Sequence, residues 1–324
     1  MVTRRHGNGE PTVTTGRSYG ASDGLRILPQ ERIVFSSDLV CIGAFRCEAD
    51  DPFFPHCGPP SVHTFVFPRT SVRIRHEGSR AFTATPNTVT FYNRGQMYSR
   101  AKVSAEGDKC DWYTVAPSAL RAIAAEVDPQ AADTPEKPFR FSHGPSDNAS
   151  YLEQRRVFNH AISSNHPDVL FVEETILSVL SNVLEQTHTA HAGSAPGVRA
   201  SHKRRDDGAI EAVQLRIARD FHRSLSLSTL AEIAGLSVFH LCRLFRSEIG
   251  VTIHRYRHQL RLRQALETLT DSSTDLTELA LDLGYSSHSH FTYVFRKTFG
   301  LSPASFRREA SVRKVRSLKT RMGW

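Results

Sequence analysis

The last third of the chain contains two copies of one pattern. "LAEIAGLSVFHLCRLFRSEIGVTIHRYR" (230–257) returns as "LALDLGYSSHSHFTYVFRKTFGLSPASFR" (279–307). Leu230, Ala231, Gly235 and Ser237 match Leu279, Ala280, Gly284 and Ser286. Leu241, Phe245, Arg246 and Gly250 match Phe291, Phe295, Arg296 and Gly300, with one residue added between the two sets. A duplicated segment must bury the same face twice, so the fold has to hold two like units.

Each copy reads as a short helix, a glycine turn and a second helix. Gly235 and Gly284 suit the positive φ that closes the first helix. Ser237, and Ser286 or Ser287, suit the cap of the second. Leu241, Leu244 and Phe245 share one face of that helix, as do Phe291, Val294 and Phe295, and these are core positions. The opposite face carries His240, Arg243 and Arg246 in one copy, and His288, Ser289, Thr292, Tyr293 and Arg296 in the other. A buried apolar face behind a face of donors is what a helix reading the major groove needs. "HRYRHQLRLRQALETL" (254–269) would join the units and "AIEAVQLRIARDFHRS" (209–224) would pack in front of the first.

Charge agrees with that reading. Net charge is +8, and all of the excess lies in residues 209–324, which hold 18 Lys and Arg against 10 Asp and Glu. A basic module beside a balanced one points to a polyanion partner. Residues 26–130 differ: "RIVFSSDLV", "VHTFVFP", "TSVRIRH", "NTVTFYN" and "DWYTV" are short, β-branched and aromatic, and suggest a barrel or sandwich. Helical patterns follow at 116–127, 148–164 and 166–187. In the last, Leu170, Val172, Ile176, Val179, Leu180 and Val183 form an apolar stripe, to be laid on the barrel or on a partner chain. The expected division is a disordered tail (1–25), a β-barrel (26–130), a helical segment for packing or dimerisation (131–190), a linker (191–208), a DNA-binding domain (209–310) and a basic tail (311–324). No run of about 18 apolar residues spans a membrane, and the N-terminus lacks a secretory pattern. The expected location is the cytoplasm, on the nucleoid.

At these repeats the chain resembles the AraC/XylS family of bacterial transcription regulators, over about a hundred residues. The resemblance implies an α+β multidomain chain: a cupin-like regulatory barrel with trailing helices, then an all-α double helix-turn-helix. It implies promoter DNA and a second copy of the chain as partners, RNA polymerase as a further candidate, an effector of unknown identity, and no cofactor. Carried over position by position, Phe239, Cys242 and Arg243 of the first unit, and His288, Ser289, Thr292 and Tyr293 of the second, would meet base edges. Ser237, His240, Arg246, Ser286, Ser287, Arg296 and Lys297 would meet phosphates. Many family members carry an acidic residue at the position of Ser287 and Arg at that of Tyr293, so the second unit is expected to read DNA less strongly or differently. The effector pocket is expected inside the barrel, lined by Phe65, Phe67, Phe91, Tyr92 and Trp112.

Two other chemistries compete. His288 and His290 look like a metal-binding His-x-His pair, but i and i+2 lie about 200° apart on a helix. His288 is expected towards DNA, and His290 half-buried beside Phe291. His254 and His258 could share an ion, yet stand among arginines, and no His-x-His pair lies in the β-rich part. An enzymatic role is therefore not expected. Cys41, Cys47 and Cys57, with His56 between them, are the alternative: a thiol or metal switch controlling the regulator. Their spacing fits no structural zinc pattern.

Overall fold

A computed structural model describes residues 30–134, 136–164, 166–192, 200–271 and 274–308. The tails expected at 1–25 and 311–324 lie outside the described residues. Two antiparallel sheets form the N-terminal half. The larger holds β1 (Glu31–Ser36), β2 (Val40–Cys47), β9 (Asp108–Val115), β4 (Thr64–Pro68), β7 (Thr88–Tyr92) and β10 (His143–Pro145), in that order. The smaller runs β3 (His56–Cys57), β8 (Tyr98–Lys102), β5 (Val72–His76) and β6 (Phe82–Ala84). The sheets face each other across Phe45, Val66, Val72, Ile74, Phe82 and Trp112.

Helices α1 (Pro117–Val127), α2 (Asn148–Ser163) and α3 (Val169–Ala192) cover the other face of the large sheet. The stripe of α3 lands there: Val172, Ile176, Val179, Leu180 and Val183 are fully buried within the chain. Leu170 is off that stripe and 73% exposed. The segment expected as helical (131–190) also contains β10, ahead of its helices, which pairs with β7 through His143 and Thr90. The expected linker is helical at both ends, because α3 runs to Ala192 and α4 (Ala200–Asp220) begins at Ala200. Residues 200–207 include Ala, Lys and two Arg, good helix formers, and a single Gly208 is tolerated inside a helix. Residues 193–199 lie outside the described residues.

The described residues continue with α5 (Leu227–Ala234), α6 (Val238–Ile249), α7 (Ile253–Asp271), α8 (Leu276–Asp282) and α9 (His288–Phe299), followed by a further helical turn at 303–308. This helical half is docked on the β-rich half through α7. Asn87 donates to the Tyr256 carbonyl (2.9 Å), and Arg263, fully buried, donates to the carbonyls of Pro86 and Ser146. Arg69 and Arg155 of the β-rich half both meet Glu267 of α7. Arg155 also pairs with Asp111 at 2.6 Å. Two guanidinium groups and two carboxylates thus neutralise each other in a dry junction. The two carboxylates hold Arg155 charged even in burial.

The expected aromatic pocket is corrected by strand geometry. Neighbours along a strand point to opposite faces. Phe65, Phe67 and Phe91 face the helices, whereas Tyr92 and Trp112 face the space between the sheets. The five do not line one cavity. The described cavity here is small, about 30 Å³, and lies on the helical side, between Phe91, Val127, Phe139, Phe141 and Leu184.

The thiol switch also meets a geometric obstacle. Cys41 and Cys47 lie on one strand six residues apart, about 20 Å at the strand rise, far beyond disulfide reach. Burial pushes the Cys41 thiol up to about 11 and raises Cys47, whereas a reactive thiol needs the opposite shift. The Cys57 side chain lies outside the described residues. Replacing Cys41, Cys47 and Cys57 with Ser is expected to leave promoter response unchanged in a reporter assay. A peroxide- or metal-dependent response lost in that variant would restore the switch.

Candidate nucleic-acid interface

Both units are built as their sequences imply. Ser226 caps α5, accepting from the Thr229 amide at 3.1 Å, and Gly235 closes it at φ 64°. The Leu236 amide then bonds back to the Ala231 carbonyl. Asp275 caps α8 by accepting from the Thr277 and Glu278 amides, which hold its carboxyl below the usual carboxylate range. Gly284 follows at φ 76°, and the Tyr285 amide bonds back to Ala280. Ser237 caps α6, and Ser287 caps α9 by accepting from the His290 amide at 3.2 Å.

Each second helix buries one face. Leu241 and Phe245 of α6, and Phe291, Phe295 and Phe299 of α9, are buried, with Leu244 and Val294 half-buried beside them. Behind α6, Ile210, Val213, Ile217, Leu230 and Tyr256 complete one core. The outer faces stay open. Phe239 is 77% and Tyr293 64% exposed, large rings without cover from their own chain. Arg243, Arg246, Ser289, Arg296 and Lys297 are exposed, as are the caps Ser237 and Ser287 and the preceding Ser286. His240, Cys242, His288 and Thr292 are half-buried. All the residues expected to read bases or touch phosphates therefore lie on α6, α9 or the residues just before them.

The two histidines differ from expectation. His290 is exposed, its ring edge-on to Tyr285 at 5.6 Å. His288 is the half-buried one, 3.3 Å from the Thr292 hydroxyl. His290 precedes Phe291, but only Phe291 points inward, and one residue along a helix rotates the side chain by about 100°.

Sequence reasoning missed one positioning residue. Arg261 donates to the carbonyls of Phe221 (2.8 Å), His222 (3.3 Å) and Gly284 (2.8 Å). It joins the end of α4, the middle of α7 and the turn of the second unit. Burial lowers its guanidinium to about 10. An arginine among several on a basic helix carries no local sign of that role. Among the described residues, no group of three or more His, Cys, Asp or Glu is placed to hold a metal ion, and no single helix is long and apolar enough to cross a membrane.

Residues 230–309 match the helix-turn-helix domain family. The chain is 32% identical over 91 residues to a probable transcription factor, PqrA, from Proteus vulgaris, covering 28% of this chain and 75% of that one. It is 33% identical over 126 residues to the HTH-type transcriptional regulator GlxA of Rhizobium meliloti, covering 38% and 39%. Among solved structures it is similar to an AraC-type DNA-binding-domain regulator from Chromobacterium violaceum, with 29% identity, TM-score 0.30 and coverage of 35% of this chain and 96% of that one.

Proposed function

The chain belongs to the AraC/XylS family of transcription regulators, and on that premise we propose that α6 and α9 enter successive major-groove segments of one promoter site. The observation that carries this is the pair of equivalent helices, each with a buried apolar face and an open face of donors and rings. Arg243 forks onto guanine, and Phe239 and Tyr293 meet thymine methyls. Cys242, His288, Ser289 and Thr292 read further base edges. Arg246, Arg296 and Lys297 hold phosphates and so fix register, aided by His240 and the hydroxyls of Ser237, Ser286 and Ser287. The role is recognition without catalysis. Arg243→Ala is expected to weaken gel-shift affinity by about 1–3 kcal/mol and relax specificity at one base. Unchanged affinity for the native operator would remove Arg243 from the reading set.

The β-rich half is the regulatory part of this reading. An apolar effector would enter by widening the small cavity between Phe91, Phe139, Phe141 and Leu184, since core side chains fill the space between the sheets. A second copy of the chain fits the hairpin between α2 and α3. There Ile162, Val169, Leu170 and Phe171 stay exposed together, a small apolar patch of the kind that marks association. Replacing Leu170 and Phe171 with Asp is expected to halve the mass seen by light scattering after size exclusion. A wild-type chain already monomeric, or an unchanged mass in the variant, would rule the hairpin out.

A further inference from the structure

An open cleft of about 420 Å³ runs between α7, α9 and the start of α2. His254, Arg255 and His258 line it from α7, and Lys297 lines it from α9. Leu262 and Val294 supply an apolar floor, and Asn148 of the regulatory half forms the opposite wall. No acidic side chain lines it, and none of the four basic groups is among the ion pairs of the described residues.

That breaks the pattern of the rest of the junction. Arg69 and Arg155 meet Glu267 and Asp111, whereas the cleft brings the cations Arg255 and Lys297 together with two imidazoles and no carboxylate. The His254 and His258 rings are 5.5 Å apart, and His258 lies 5.4 Å from Tyr285. His258 is held down near 4, by burial first and then by His254, Arg261 and His290. Like charges within a Debye length repel, and together they concentrate anions. An arginine fork beside imidazoles and an ammonium matches the oxygens of a phosphate group.

We propose that this cleft binds a small phosphate-bearing molecule, held by His254, Arg255 and Lys297 and closed on one side by Asn148. The volume exceeds that of a bare ion, and the apolar floor takes the uncharged part of the ligand. Because Asn148 belongs to the regulatory half and Lys297 to a reading helix, an occupied cleft ties the two together. A free ligand is favoured over the DNA backbone because the regulatory half supplies one wall. The site stands whether or not the promoter reading does, so its first test contains no DNA.

Pyrophosphate is the probe, added to the full chain at constant ionic strength. Occupancy is expected to raise the melting midpoint by roughly 2–4 °C, with sodium chloride at equal ionic strength giving no rise. His254→Gln with Arg255→Gln should lose at least half of the shift. Proton–nitrogen spectra of the histidine rings give a measurement that needs no variant: His254 and His258 should move, and His63 and His222 should not. An equal rise in the double variant, no rise in the wild type, or ring shifts outside the cleft would overturn the site. The same ring shifts with a short DNA duplex, and none added by pyrophosphate, would hand the cleft to the DNA backbone and overturn the small-molecule assignment.

Discussion

Glu267→Leu is expected to weaken the junction between the two halves by about 3–5 kcal/mol, the usual loss when one partner of a buried ion pair is removed. Glu267 accepts from Tyr151 at 3.0 Å and from the Arg69 Nε at 2.5 Å, and forms an ion pair with Arg155 at 2.9 Å. Without it, Arg69 and Arg155 share the single carboxylate of Asp111, and one buried positive charge stands uncompensated. Urea unfolding shows the effect directly. With Trp324 replaced by Phe, Trp112 fluorescence reports the regulatory half, and far-ultraviolet dichroism reports the helices. One transition in the wild type should separate into two in the variant, with the helical half melting first. Leucine at 267 with Arg69→Met removes one charge of each sign and leaves Arg155 paired with Asp111. That double variant is expected to recover most of the loss, because well-packed apolar groups replace a buried pair at little net expense. Equal losses in the single and double variants would mean that charge balance does not hold the junction.

The helices of the DNA-binding half were legible because their signals are local. Gly235 and Gly284 close helices within a turn, and Phe245 and Phe295 repeat with helical period. Strand faces were less so. "FVF" at 65–67 shows three buried residues, and nothing in the triplet says that its outer two point at helices while Val66 points between the sheets. β10 (His143–Pro145) has little intrinsic strand preference and forms because β7 offers it a free edge. The buried charges were invisible for a simpler reason. Arg69 and Glu267 are 198 residues apart, and each alone looks like an ordinary surface residue. The same holds for the cleft: Lys297 reads as a phosphate contact and Arg255 as one of several arginines on a basic helix, and only the fold brings Asn148 to the same cleft.

The two glycines that match in the repeat are expected to respond very differently to alanine. Both sit at positive φ after a short helix, so either substitution costs about 1–2 kcal/mol from conformation alone. Around Gly235 an added methyl meets nothing within 4 Å. At Gly284 it would lie 2.2 Å from the His222 carbonyl oxygen and 2.5 Å from the Arg261 guanidinium. The oxygen belongs to backbone and cannot swing away, so crowding adds about another 1–3 kcal/mol. Moving Gly284 also breaks the bond from Arg261 to the Gly284 carbonyl, which helps position the second unit against α7. Gly284→Ala should therefore lose about 2–5 kcal/mol and sharply reduce affinity for a complete operator, while contacts of the first unit persist in footprints. Gly235→Ala should lose only the conformational share and keep both footprints. Thermal melts that find the two variants equally stable would show that Arg261 and the His222 carbonyl do not fix the second unit in place.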